Sequence, residues 1–235
     1  MSLAPFKVLL FDCYGDWETG MINNFKHLLD QPTSPDRTKL FEIVGPIENK
    51  IQDDDPTLLY SEVLTKVYSE TAKKLNLNFD EVQAKSFGKS IPSWPAFSDS
   101  SKSLKKLSDA GLKLVILSNV DNESFEGSRK RLEDGYSFDA IYTAEKIGSY
   151  KPSLKNFDYA IENIKKDFGL EKEDILIVAN SKYHDIQPGH KKNLKSAWID
   201  RAKAHMGVEA YKDVKPDYQF QSMEEFANAI IKDKS

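Results

Sequence analysis

The chain has 235 residues, of which 40% are hydrophobic and 30% charged, and its net charge is −4. That describes an ordinary globular protein with one sizeable core or a core carrying an insertion, and a weakly acidic balance gives no support to a nucleic-acid or anionic-membrane partner. The single cysteine, Cys13, excludes an intramolecular disulfide and fits a reducing compartment, and no apolar run approaches the ~20 residues that span a bilayer. The first residues, MSLAPFK, do not combine a charged region with an apolar one, so the expected location is cytoplasmic.

In chain order, Phe6–Phe11 (FKVLLF) reads as a buried strand that runs directly into Asp12. Residues 17–95 then show no convincing strand. Asp36–Ile51 reads as a helix interrupted or ended near Gly45-Pro46, and Asp53-Asp54-Asp55-Pro56 as a loop and the start of the next helix. Leu58, Leu59, Val63, Leu64, Val67, Tyr68, Thr71 and Leu75 recur at helical spacing, and Ile91–Pro95 (IPSWP) forms a stiff return segment. Beyond it the pattern changes. Short apolar runs at Lys113–Ser118, Asp139–Thr143, Asp174–Ala179 and Ser196–Ile199 alternate with helical faces such as Leu104, Leu107, Ala110 and Phe157, Ala160, Ile161, Ile164, Phe168. Alternating strands and helices predict an α/β fold with a parallel sheet and right-handed crossovers. The expected organisation is a core formed by residues 1–16 and 96–235, with a helical unit, residues 17–95, inserted after the first strand.

An acid at the end of an apolar strand is costly to desolvate, so Asp12 needs a reason. In an open parallel sheet, ligands bind beyond the carboxyl ends of the strands. Asp12 ends the first strand, Ser118-Asn119 end the second, Lys151 follows the third in GSYKP, and Asn180-Ser181 end the fourth, with Asp185 four residues later. A carboxylate can act as a nucleophile and form an ester. A lysine beside it favours its charged form. Ser118 and Asn119 supply donors for an anion, and Asp185 can orient Lys151 or activate water. His184 reads as a helix-start histidine, and Arg37, the only arginine of the insertion, as a surface residue.

These motifs, FDCYG, LSNVD, GSYKP and the Asp185 segment, resemble the haloacid dehalogenase superfamily of hydrolases over nearly the whole chain. The resemblance implies a Rossmann-like core with a helical cap, Asp12 as nucleophile, Ser118 and Asn119 as a substrate-binding pair and Lys151 as the charge-balancing lysine. Phosphatases of the superfamily usually carry a second aspartate two residues after the nucleophile, near a magnesium site. Here that position is Tyr14, and the late motif has Asn180, a pattern similar to the L-2-haloacid dehalogenase branch, which implies no cofactor; magnesium is the lesser alternative. The runs WPAF, SNVD and SKYHDIQPG resemble most closely a subgroup that includes L-azetidine-2-carboxylate hydrolase, with Tyr14 and Trp94 as further substrate-binding candidates. The implied function is metal-independent hydrolysis of a small 2-substituted carboxylic acid through an aspartyl ester, in a chain that is compatible with a homodimer. The alternatives are a magnesium-dependent phosphatase and a non-catalytic protein of the same fold. Three departures stand out. Phe157 replaces the tyrosine usual six residues after the lysine, Lys182 replaces an asparagine, and Gly15 is followed at once by Asp16, without the three residues that normally separate them.

Overall fold

The computed structural model describes residues 2–13, 20, 23–201 and 211–234, apart from the side chains of residues 37 and 38. Six parallel strands form one sheet: β1 (Val8–Phe11), β2 (Lys113–Ser118), β3 (Ala140–Thr143), β4 (Ile175–Ala179), β5 (Lys195–Ile199) and β6 (Tyr218–Phe220), in the order β3-β2-β1-β4-β5-β6. This is the expected α/β class with a parallel, Rossmann-like sheet. β1 lies at its centre and is wholly buried, which is why its four residues are all apolar instead of alternating.

Side chains leave β1 on both faces. Leu9 and Phe11 join Ile116, Val178 and Ile199 on one face, under α5 (Ser100–Asp109), α6 (Asn122–Leu132) and α10 (Met223–Lys234). Val8 and Leu10 join Leu117, Ile177 and Trp198 on the other, under α8 (Leu154–Phe168), whose Phe157, Ala160 and Ile164 point inward. The sheet is thus sandwiched between helical layers.

Between β1 and β2 the described residues form helices only: α1 (Lys26–Leu29), α2 (Arg37–Asp54), α3 (Tyr60–Lys74) and α4 (Glu81–Gly88), then a single tight turn at Ile91–Ser93 that leads into α5. Two expectations need correction here. Helix α2 does not stop at Gly45-Pro46 but continues to Asp54. Pro46 removes one backbone donor, yet the residue before it has no Cβ to collide with the proline ring, so the helical turn survives. In consequence Asp53 and Asp54 close α2 instead of opening a helix. Lys50 pairs with Asp54 at 2.6 Å, and the Asp55 carboxylate accepts from Thr57 N and Oγ1 in a local turn.

Strand boundaries shift for a related reason. Asp139 and Asp174 lie just outside β3 and β4. Asp139 accepts from Leu114 N and Lys113 Nζ, and Asp174 pairs with Lys7 at 2.8 Å, so both acids pin neighbouring strands at the edge opposite Asp12. β6 was not anticipated, since three residues are too few to show a period. Helices α7 (Ala144–Ile147) and α9 (Gln187–Lys191) complete the core.

Candidate active site

The register of the sheet brings the candidate groups together. Phe11 pairs with Ile116 on one side and Val178 on the other, so Asp12 emerges between the carboxyl ends of β2 and β4. Lys151 arrives from the loop between α7 and α8 and is 1% exposed. Its ammonium donates to Asp12 Oδ1 at 3.0 Å, Asp185 Oδ1 at 2.6 Å and the Leu117 carbonyl at 2.8 Å. An ammonium has three N–H groups, and here each has an acceptor. Burial works to strip the charge from Lys151, but the two carboxylates outweigh it and hold its pKa above the ordinary lysine value.

Asp185 sits in the wide turn Lys182–Ile186 after β4. Burial pushes its pKa up to about 7, against the opposing pull of Lys151. Its Oδ1 meets Lys151, while Oδ2 is buried without a hydrogen-bond partner among the described residues. The two carboxylates therefore differ in environment: the Asp12 side chain is 18% exposed and that of Asp185 4%.

Asn119 occupies a role that its sequence position does not reveal. Its Nδ2 donates to the Lys151 carbonyl at 3.0 Å, and its Oδ1 accepts from the Lys151 N–H at 2.7 Å. One amide thus grips both sides of the lysine's main chain. Ser118 is buried at the last position of β2. Asn180 turns to β5, donating to the Ile199 carbonyl at 2.7 Å. Trp94 is not part of the lysine cluster. Its Nε1 donates to Ser90 Oγ at 2.9 Å, and its ring lines a small neighbouring cleft with Cys13, Phe97 and Leu132. Tyr14 and the Gly15-Asp16 junction lie outside the described residues, as does the Arg37 side chain.

The two sequence departures that fall within the described residues are explained by packing. Phe157 is 0% exposed, and belongs to the apolar layer under α8. Lys182 turns outward, its ammonium 4.2 Å from the centre of the Trp198 ring. Sequence reasoning also missed three participants. The Leu117 carbonyl carries no side-chain signal. Arg201 shares a cleft with Asp12, its guanidinium laid on Phe97 and bonded to Asp99 at 2.9 Å. His184, taken as a helix-start residue, lies near enough for Lys151 and Asp12 to act on it through space.

The arrangement suits nucleophilic chemistry on a carboxylate. It suits a hard divalent cation poorly, since such ions want several free anionic oxygens. Here an ammonium lies between the two acids, and among the described residues no three His, Cys, Asp or Glu side chains converge.

A central parallel sheet, an aspartate at the end of its middle strand and a buried lysine from a distant loop define a class: Rossmann-like α/β proteins with a lysine-paired acid at the strand terminus. The chain belongs to the haloacid dehalogenase-like hydrolase family, whose pattern matches residues 16–199. An (S)-2-haloacid dehalogenase from Pseudomonas putida is 24% identical over 161 residues, 68% of this chain and 67% of that protein. The L-2-haloacid dehalogenase RSc1362 superposes with a TM-score of 0.77 at 17% identity, covering 96% of this chain and 98% of that one. An L-2-haloacid dehalogenase from Xanthobacter autotrophicus, solved with chloropropionic acid covalently bound, gives 0.73 at 13% identity over 95% and 97%.

Proposed function

We propose that the protein hydrolyses small 2-substituted carboxylic acids, without a metal, through an ester formed on Asp12. The observation that carries this reading is the Asp12–Lys151 contact of 3.0 Å at the centre of the sheet's carboxyl edge. A nucleophilic carboxylate must be ionised, and a buried ammonium beside it favours that form. The kinship with haloacid dehalogenases supports 2-haloacids as the substrate class, and the motif resemblance adds the strained ring of azetidine-2-carboxylate as a second candidate.

In the first step an Asp12 oxygen bonds to carbon 2 while the bond to the leaving group breaks, and the leaving group departs with the electron pair. Lys151 balances the charge at Asp12 and Asp185. Ser118 contributes its hydroxyl to the substrate, and Asn119 holds the Lys151 main chain in place while its second amide N–H is the group assigned to the substrate. Tyr14 and Trp94 are assigned to the walls around the substrate. In the second step water attacks the ester carbonyl and its proton passes to Asp185, whose Oδ2 has no partner among the described residues; the bond from that carbonyl carbon to the substrate oxygen then breaks, Asp12 is regenerated as a carboxylate, and the departing oxygen takes the proton back from Asp185. The product is the 2-hydroxy acid, or the ring-opened equivalent.

Single-turnover hydrolysis of L-2-chloropropionate or L-azetidine-2-carboxylate in oxygen-18 water tests the ester. The label enters Asp12, and Asp12→Asn lowers kcat by at least ~10³-fold. Label appearing directly in product, together with an active Asp12→Asn, rules the ester out.

A further inference from the structure

Chemistry at Asp12 needs a group that receives the acid end of the substrate and a space that receives the rest of it. Asp12 and Arg201 line one cleft of about 70 Å³ at the carboxyl edge of the sheet, bounded by the ends of β1, β4 and β5 and by α5, α6 and α10. Among the described residues that line it, these two are the charged ones, and Asp12 is already paired with Lys151.

We propose that this cleft selects the substrate by length: Arg201 takes its carboxylate at the mouth, and the apolar floor takes a short carbon chain. This inference rests on the function proposed above and names the acid-binding residue and the chain subsite of the same site.

The mouth and the floor differ in character. The side chains of Asp12 and Arg201 are each 18% exposed, whereas Leu104, Ile116, Leu132, Phe138 and Val178 are buried. One N–H of Arg201 Nη1 goes to Asp99 Oδ1 at 2.9 Å, and the other four guanidinium N–H groups have no partner among the described residues. The guanidinium carbon lies 3.9 Å from the centre of the Phe97 ring. Stacking of this kind covers a face of the guanidinium and leaves its N–H edge to hydrogen bonds. Asp99 is itself fixed, since its Oδ2 accepts from Met223 N at 2.9 Å at the start of α10. A planar fork held by a carboxylate and a ring suits a second carboxylate, which it can meet with two parallel N–H bonds.

The floor sets the length. Clefts that enclose a whole drug-sized ligand measure ~300–1,000 Å³, so this one serves a small molecule or part of one. An apolar cavity of ~150 Å³ holds a benzene ring, and on that scale about three carbons fill the space here. Carbon 2 is bonded to the carboxyl carbon, so an acid seated on Arg201 keeps carbon 2 at the mouth, which Asp12 also lines, and sends the later carbons onto the floor. A butyrate-sized acid is the best fit.

Unsubstituted carboxylates are the probe, since they carry nothing at carbon 2 to displace. Titrations are followed on the methyl NMR signals of Leu104, Ile116 and Leu132, with Val82, 77% exposed on α4, as the signal that stays still. Affinity rises ~4-fold per methylene from acetate to butyrate and no further to hexanoate. Arg201→Gln binds butyrate at least ~10-fold more weakly yet binds uncharged butyramide as wild type does, a split that a merely structural loss does not give. Leu132→Phe fills the floor, keeps Arg201 and moves the preferred chain from butyrate to acetate or propionate. No butyrate binding, affinity indifferent to chain length, unchanged butyrate binding in Arg201→Gln, a butyrate optimum that survives Leu132→Phe, or shifts that miss the floor each overturns the proposal. None of these outcomes bears on the Asp12 ester, which the oxygen-18 label decides by itself.

Discussion

Lys151 is the residue on which the site turns. A fully buried ammonium is tolerated because three acceptors meet it, and two of them are charged. Replacing it by methionine keeps the volume and removes the charge, leaving two carboxylates facing one another. Lys151→Met is expected to lose about 3–5 kcal/mol at pH 8 in urea denaturation. The loss should shrink at pH 5, where Asp185, already raised by burial, carries a proton. The same logic applies one bond further out. Asn119→Ala removes two hydrogen bonds to the main chain of Lys151 and leaves its backbone groups without those partners, so a destabilisation of about 1–3 kcal/mol is expected from the same measurement.

At the scale of elements, the contact of α2 with α3 contains an acid whose titration should be visible in stability. Glu48 Oε1 accepts from Gln52 Nε2 at 3.0 Å and from Tyr60 Oη, on α3, at 2.8 Å. Burial nevertheless pushes its pKa up to about 7 from 4.5, against the pull of both hydrogen bonds. The folded state then holds this proton more tightly than the unfolded chain does. Stability is undiminished below the unfolded value and falls as pH rises from about 4.5 to 7. Glu48→Gln keeps an acceptor for both donors without the charge. It should match wild type at pH 4 and exceed it by about 1–3 kcal/mol at pH 8, read from urea midpoints at the two pH values. The proline inside α2 is a separate cost to the same helix. Pro46→Ala restores a backbone donor in its interior, and thermal unfolding should show a gain of about 1–3 kcal/mol.

Across the whole molecule, the loops that carry Asn119 and Lys151 also hold the helices between β1 and β2. Asp121, two residues after Asn119, accepts from Ser61 N at 2.9 Å, and Tyr150, next to Lys151, donates to the Leu58 carbonyl at 2.5 Å. On the far side of the contact, Arg131 donates to the Pro92 carbonyl and Gly127 of α6 lies directly against the Pro92 ring. A methyl group on Gly127 would come within 2.4 Å of Pro92 Cβ and 2.8 Å of its Cα, and a proline backbone has little room to yield. Gly127→Ala is therefore expected to cost about 1–3 kcal/mol and to loosen the insertion from the core. Hydrogen exchange at Ser61 N, the amide bonded to Asp121, reports that loosening directly.

The order of strands and helices, the run of helices between β1 and β2 and the placement of Asp12, Ser118 and Asn119 at strand ends were legible in the sequence; Lys151 was expected just after β3, and α7 intervenes before it. They depend on local signals: apolar period, run length and the position of polar residues beside a strand. Where the local signal was a proline after glycine, or three adjacent acids, it misled, because packing against α3 carries α2 through the proline and as far as the second of the acids. The tertiary structure alone decided what each polar group spends its hydrogen bonds on. It showed that Asn119 grips the Lys151 main chain, that a backbone carbonyl completes the ammonium's shell, that Trp94 stands apart from the cluster and that His184 stands beside it. Those outcomes depend on side chains meeting from elements more than thirty residues apart, and a linear pattern records which residues are present without recording which of them touch.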